Sequence, residues 1–228
     1  DLIVHCPELY EGDHVLDLVS DDPDYLDQSL SNLERTIAET LKIKQFFPNT
    51  KKPLLITNVG GFSQAEFKTE EWRFEKYEKL ASILNKYKNS GVEIIPQTMP
   101  PFPWHFGGQS HHNLFVLKDE IISFCRKNNV RICFDISHTK LSSQHSKSAF
   151  SDTIRELAPY TAHLHIADAQ GTSGEGLQIG DGDIAFQDVW PEIQKLCNDA
   201  SFVPEVWQGH KNNGSGFWEA LDKLESFK

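Results

Sequence analysis

The sequence predicts an α/β fold of the (β/α)8, or TIM, barrel class, and three observations carry that expectation. Short runs rich in Val, Ile and Leu alternate with amphipathic stretches along the whole chain, the pattern of βα units around a parallel sheet. The runs start 32 to 51 residues apart, which leaves room for a strand, a loop, a helix and a return loop and is too long for all-β hairpins. Polar residues gather at the C-terminal end of almost every run, the face on which barrels build their sites.

The first run, Leu2–Cys6, carries His5 and is followed by Glu8. It leads into His5-Cys-Pro-Glu-Leu-Tyr10 and not into the Gly-rich turn of a doubly wound dinucleotide fold. Leu30, Leu33, Ile37 and Leu41 then fall on one face of a first helix. A second strand, Pro53–Thr57, ends at Asn58, and Trp72, Tyr77, Leu80 and Leu84 mark the helix after it. Val92–Pro96 ends at Gln97 and is followed by the pattern Ile121, Ile122, Cys125. Val130–Phe134 delivers Asp135 and His138, with Phe150, Ile154 and Leu157 as its helix. Ala162–Ile166 carries His163 and His165 and leads to Asp168; Val189, Ile193 and Leu196 follow. The last strand, Phe202–Val206, carries Glu205, with His210 beyond it. Phe217, Ala220, Leu221 and Leu224 form the closing helix, where Ser215 can cap the N-terminus after Gly214. Six units are two short of eight, so the expectation is a single domain over residues 1–228 that begins near the third strand of a barrel.

Composition narrows the function. The 228 residues are 39% hydrophobic and 24% charged, enough apolar material for a core. Lys and Arg total 22 against 33 Asp and Glu, and the net charge of −11 repels a phosphate backbone, so no nucleic-acid partner is expected. No run approaches the roughly 18 apolar residues of a membrane helix, and residues 1–10 do not read as a signal peptide, which points to a cytoplasmic protein with no membrane partner. Cys6, Cys125, Cys133 and Cys197 form no CxxC pair and are expected to be reduced and packed.

Asp135, His165 and Glu205 close consecutive strands, and a carboxylate, an imidazole and a second carboxylate converging there suit one divalent cation. Gln97, at the end of the preceding strand, offers an amide oxygen as a fourth contact. An oxygen-rich set with one nitrogen favours Mn²⁺, Mg²⁺ or Co²⁺ over a structural Zn²⁺. Each residue also has a bland reading: an Asp at a strand end caps the following turn, and a strand His is often a satisfied core group. His163 shares the face of His165 and reads either as structural or as a residue one layer deeper that backs the metal ligands. The loop Gln97–Gln109 presents Phe102, Trp104, His105 and Phe106, suited to packing against the C–H face of a sugar or to sealing the barrel mouth. Gly209–Gly216 opens the last helix where barrels often bind a phosphate, with Lys211 and His210 as its cationic groups. Gly174–Ile184 lacks the spacing of a calcium loop and reads as a tight strand-to-helix connection.

Asp135-x-x-His138, His163-x-His165-x-x-Asp168, Gly180-Asp-Gly-Asp-Ile-Ala-Phe186 and Glu205 resemble the xylose isomerase-like barrels, the superfamily of sugar isomerases and epimerases that also contains endonuclease IV. More narrowly, Pro100-Pro-Phe-Pro-Trp104, Phe106-Gly-Gly-Gln109, Gly174-Glu-Gly-Leu-Gln-Ile-Gly180 and Pro204-Glu-Val-Trp-Gln-Gly-His-Lys-Asn-Asn-Gly214 look like the barrel domain associated with bacterial sialic acid synthase-like proteins. The superfamily resemblance implies a metal at Gln97, Asp135, His165 and Glu205, proton transfer beside a carbonyl, and two further N-terminal βα units. The epimerases carry a Glu where this chain has Gln97, which cannot take a proton. The remaining chemistry is a one-base, enediol-type isomerisation, with Glu205 as base and His138 as proton carrier or substrate contact. His5, Trp104, Asp168, His210 and Lys211 are expected to contact a sugar or sugar phosphate, and a sialic acid synthase-like domain is the implied protein partner. The endonuclease branch fits poorly, because Asn58 stands where its zinc site needs a histidine. The opposing expectation is a barrel that has lost its chemistry and binds a ligand or a partner domain.

Overall fold

The computed structural model describes residues 1–105 and 108–227, with the backbone alone for Trp104, His105 and Gly108. It divides into two compact units: Asp1–Gln97 with Trp104–Leu114, and Thr98–Pro103 with Phe115–Lys228.

The first unit carries β1 (Ile3–His5), α1 (Pro23–Lys44), β2 (Leu54–Thr57), α2 (Glu70–Lys86) and β3 (Glu93–Pro96). The strands form a parallel sheet in the order β1-β2-β3, with Ile3 beside Leu54 and Leu54 beside Glu93. α1 starts where it does because Asp22 accepts from the backbone N–H groups of Asp24 and Tyr25 and Pro23 presets the first turn. Its Leu33 and Ile37 are buried, and Thr69 caps α2 in the same way. His14 is buried and shares a 2.8 Å hydrogen bond with Ser29 Oγ, and burial lowers its pKa. Gly60 sits at φ +84° where a Cβ would overlap Asp17, whose Oδ1 accepts from the N–H groups of Val19 and Gly61.

The second unit carries α3 (Lys118–Asn128), β4 (Ile132–Asp135), α4 (Ile136–Ser146), α5 (Phe150–Leu157), β5 (Thr161–Ile166), α6 (Phe186–Leu196), β6 (Ser201–Pro204) and α7 (Lys211–Glu225). Its parallel sheet runs β4-β5-β6, and β4 is buried along its whole length. Trp190 of α6 is buried and packs edge-on against Phe202, with centroids 5.3 Å apart. An antiparallel hairpin, Asp168–Gln170 paired with Gly174–Leu177, rises between β5 and α6.

All six expected strands form, each within about two residues of its predicted bounds. They fall into two three-stranded parallel sheets, and the described residues form no closed eight-stranded barrel. α4 is an addition to the expected elements. Its buried face is made mostly of Ser137, Thr139, Ser142 and Ser143, so apolar periodicity could not announce it. Those hydroxyls are satisfied locally, as when Ser142 Oγ donates to Thr139 O. The Gly174–Ile184 connection is also more elaborate than a tight turn, because its first residues are a hairpin strand. In the last segment Asn212, Asn213 and Gly214 have positive φ, so the regular helix begins only after Gly214; Ser215, expected as its cap, instead donates its hydroxyl to Lys211 O at 3.3 Å. All four cysteines are buried and free; burial pushes the Cys6 thiol up to about 11 and Cys125 to about 12. Among the described residues no helix is long and apolar enough to cross a membrane.

Candidate metal centre

The register of the second sheet creates the site. Asp135, the last residue of β4, is the lateral neighbour of His165 in β5, and Ile166 is the neighbour of Pro204 in β6. Glu205 N–H donates to Ile166 O at 2.9 Å, which extends the ladder one step and brings Glu205 to the same end of the sheet. His165 Nδ1 lies 2.7 Å from Glu205 Oε2 and 3.7 Å from Asp135 Oδ2. One ligand atom from each of the three lies within 4.8 Å of the others. Asp135 and His165 are buried, whereas the Glu205 side chain is 49% exposed and opens the cluster to solvent.

The donor set fits a divalent cation. A buried carboxylate and a buried imidazole beside a half-exposed carboxylate are best matched by a positive partner, and Nδ1 of His165 has only one proton to offer two facing carboxylates. A hard or borderline ion with oxygen and nitrogen ligands meets that requirement. The two oxygens of Asp135 face different partners. Oδ1 accepts from His138 N–H at 2.8 Å and caps α4, while Oδ2 faces His165 and His138.

His138 belongs to the same cluster of side chains. Its Nδ1–H donates to Thr98 O at 3.0 Å and also lies 3.3 Å from Asp135 Oδ2, and its Nε2 lies 3.3 Å from Glu175 Oε2. Burial works against a charge on His138, but the carboxylates of Asp135 and Glu175 outweigh it and raise its pKa to about 10. His165 follows the same balance: burial opposes its charge, and Cys133, Asp135 and Glu205 together lift it well above the ordinary histidine value. Asp135 is lowered despite its burial, because both imidazoles stabilise the carboxylate. His163 behaves as a structural residue, sharing a 2.8 Å hydrogen bond with Ser201 Oγ and an edge-on contact with His165.

Several expected contacts are placed differently. Asp168 is completely buried, and its carboxylate accepts four backbone N–H groups, from Ala169, Gly180, Gly182 and Ile184, at 2.8 to 3.1 Å. It organises the loop between β5 and α6 and is not a substrate contact, because no acceptor direction is left over. Lys211 Nζ donates to Gln208 Oε1 on the exposed surface, and His210 is exposed at the start of α7. Gln97 and His5 meet in the first unit, where His5 Nε2–H donates to the buried Gln97 Oε1 at 2.8 Å. That bond engages the amide oxygen expected to serve as a fourth metal contact. The side chain of Trp104, like all of Phe106, lies outside the described residues. Glu175 was not among the expected site residues. It reaches His138 only through the hairpin, and no local spacing links the two.

Three ligand-type side chains at the C-terminal ends of adjacent parallel strands define a βα protein with its candidate centre on the barrel-type face. Residues 1–227 match the family model described as the xylose isomerase-like TIM barrel, and the chain belongs to that family. Solved structures share its fold. A D-tagatose 3-epimerase-like protein superposes with a TM-score of 0.67 at 17% identity, covering 99% of this chain and 76% of that one. An L-ribulose 3-epimerase gives 0.61 at 16%, covering 92% and 74%. A D-psicose 3-epimerase from Clostridium cellulolyticum H10, solved with D-tagatose, gives 0.63 at 15%, covering 93% and 74%. An uncharacterized protein of Methanocaldococcus jannaschii is 25% identical over 123 residues, 54% of this chain and 40% of that protein, so the match spans well under half of the relative.

Proposed function

We propose that this chain is a metal-dependent sugar isomerase or epimerase that moves a proton at the carbon beside a carbonyl. The observation that carries the reading is the convergence of Asp135, His165 and Glu205, all within 4.8 Å, at the ends of three neighbouring strands. A divalent ion held by them, Mn²⁺, Mg²⁺ or Co²⁺ in preference to Zn²⁺, would polarise a sugar oxygen. Glu205 is the group that takes the proton, since it alone of the three is open to solvent. His138, fixed between Asp135 and Glu175, is the second proton carrier. Gln97 has no proton to exchange, so the reading is a one-base, enediol-type transfer and not a two-carboxylate epimerisation.

Family membership and the shared fold of sugar epimerases support this reading. The long strings Gly174–Gly180 and Pro204–Gly214 add a narrower proposal, a precursor of a nonulosonic (sialic) acid as substrate and a synthase-like domain as partner. Gln97 favours a second reading, a barrel that retains the fold and binds without turnover.

The deciding experiment incubates the Mn²⁺-loaded chain with D-tagatose, D-fructose or N-acetyl-D-mannosamine in D₂O and follows exchange of the carbon-bound proton by NMR. Exchange by the wild type and its loss in Glu205→Gln support the isomerase. No exchange with any of these sugars, in protein shown to hold metal, supports the binding module.

A further inference from the structure

We infer that Glu175 is a substrate-contacting residue that selects sugars with free hydroxyls and excludes sugar phosphates. The inference rests on the isomerase reading above and narrows its substrate class.

The first ground is how firmly Glu175 is presented. Its strand, Gly174–Leu177, is tied to the start of α4 through Ser137, whose hydroxyl donates to Asp168 O at 3.1 Å and accepts from Gly176 N–H at 3.0 Å. On the other side Trp207 N–H donates to Gly176 O at 2.7 Å. Gly176 has φ +69°, and a Cβ there would lie 3.5 Å from the Trp207 backbone and 3.7 Å from Glu205 O. The residue next to Glu175 is therefore packed against the segment that carries Glu205. Asp168, with its four backbone donors, fixes the base of the same loop.

The second ground is what the carboxylate touches and what it leaves open. Oε2 lies 3.3 Å from His138 Nε2, and the opposite side of that ring faces Asp135. The Glu175 side chain is 32% exposed, so it borders the site and still reaches solvent. A carboxylate in that position accepts hydrogen bonds from two neighbouring hydroxyls of one sugar.

The third ground is charge. Asp135, Glu175 and Glu205 place three carboxylates around His138 and His165. A bound divalent ion and the His138 imidazolium offset the charge of Asp135 and Glu205, but a phosphate placed against Glu175 itself faces a like charge, a device that discriminates without improving contacts to the favoured ligand. Lys211, the cation the sequence offered for a phosphate, is hydrogen-bonded to Gln208 on the exposed surface. The net charge of −11 over the chain adds to the bias.

The test is calorimetric binding to the full chain, loaded with Mn²⁺ and desalted, using D-fructose against D-fructose 6-phosphate and N-acetyl-D-mannosamine against its 6-phosphate. The expected result is that at least one free sugar binds and its phosphate binds about tenfold more weakly or worse. Glu175→Gln, with unchanged circular dichroism and Mn²⁺ stoichiometry, should close that gap to about threefold or less, and Glu175→Lys should reverse it. Phosphates that bind the wild type as well as the free sugars overturn the inference and leave the isomerase reading intact. An unchanged ratio in Glu175→Gln likewise removes Glu175 from the role. If none of the four ligands binds, the isomerase reading fails and this inference fails with it. The wild-type ratio decides the substrate class even where a variant does not fold.

Discussion

His165 Nδ1 faces two carboxylates at once, Glu205 Oε2 at 2.7 Å and Asp135 Oδ2 at 3.7 Å, and each comes from a strand next to its own. The same nitrogen cannot hold a proton and coordinate a metal. Its raised pKa means that the metal-free site holds this proton more firmly than an ordinary histidine does, so metal and proton compete for one position.

Metal affinity should therefore rise with pH. Below the raised His165 pKa, each bound Mn²⁺ should displace about one proton, and affinity should strengthen up to about tenfold per pH unit. Titration calorimetry in buffers of different ionisation enthalpy reads the released proton directly. Asp135→Ala and His165→Ala should bind no Mn²⁺, and an affinity that does not change with pH would contradict the coordination of His165.

Asp168→Asn should damage stability before it damages chemistry. Four backbone N–H groups point at this one carboxylate, and an amide can accept through only one of its two heavy atoms. A loss of about 3 kcal/mol in urea unfolding is expected, from weakened charge-assisted bonds and stranded donors. A loss below about 1 kcal/mol would mean that the loop is held by other contacts.

His14 sets a pH dependence of the opposite kind to His165. Burial lowers its folded pKa, so the stability it contributes is fully present above the unfolded value of about 6.5 and is lost as the pH falls below it. Replacing His14 with Gln should thus cost less stability at pH 5 than at pH 7. Paired thermal melts at the two pH values check the sign, and a larger cost at pH 5 would contradict it.

Gly60→Ala should be among the costliest single methyl additions in the first unit. The position combines φ +84° with a Cβ site already occupied by Asp17. Left-handed strain and overpacking each contribute about 1–3 kcal/mol, so a total of about 2–6 kcal/mol in chemical denaturation is expected. A neutral result would show that the Asp17 loop moves aside.

How much of this was legible in the sequence follows from how local each signal is. The strands were legible as apolar runs; β4, buried at every position, is the clearest case of a buried parallel strand reading as a continuous apolar run, whereas Phe202 and Val203 of β6 are exposed. Asp135, His165 and Glu205 were legible because strand ends repeat at a fixed place in each βα unit, so three separate segments pointed to one face. Asp168 was misassigned because an acidic residue at a strand end looks the same whether it faces a ligand or turns inward onto backbone N–H groups 12 to 16 residues later. α4 was missed because its packed face is hydroxylic. Glu175 was missed because its partner, His138, is 37 residues away and only the hairpin joins them.

The hairpin that carries Glu175 also offers a handle for observation. Its tip, Gly171 to Ser173, is exposed, and a side chain built at Gly171 would meet nothing within 4 Å. The four native cysteines are buried, and their thiols are kept protonated. A thiol introduced by Thr172→Cys would be the one reactive site for a maleimide dye, with no need to strip the native cysteines first. The emission of that dye would turn each encounter of the site with a cation or a sugar into an optical signal read on the unmodified remainder of the chain.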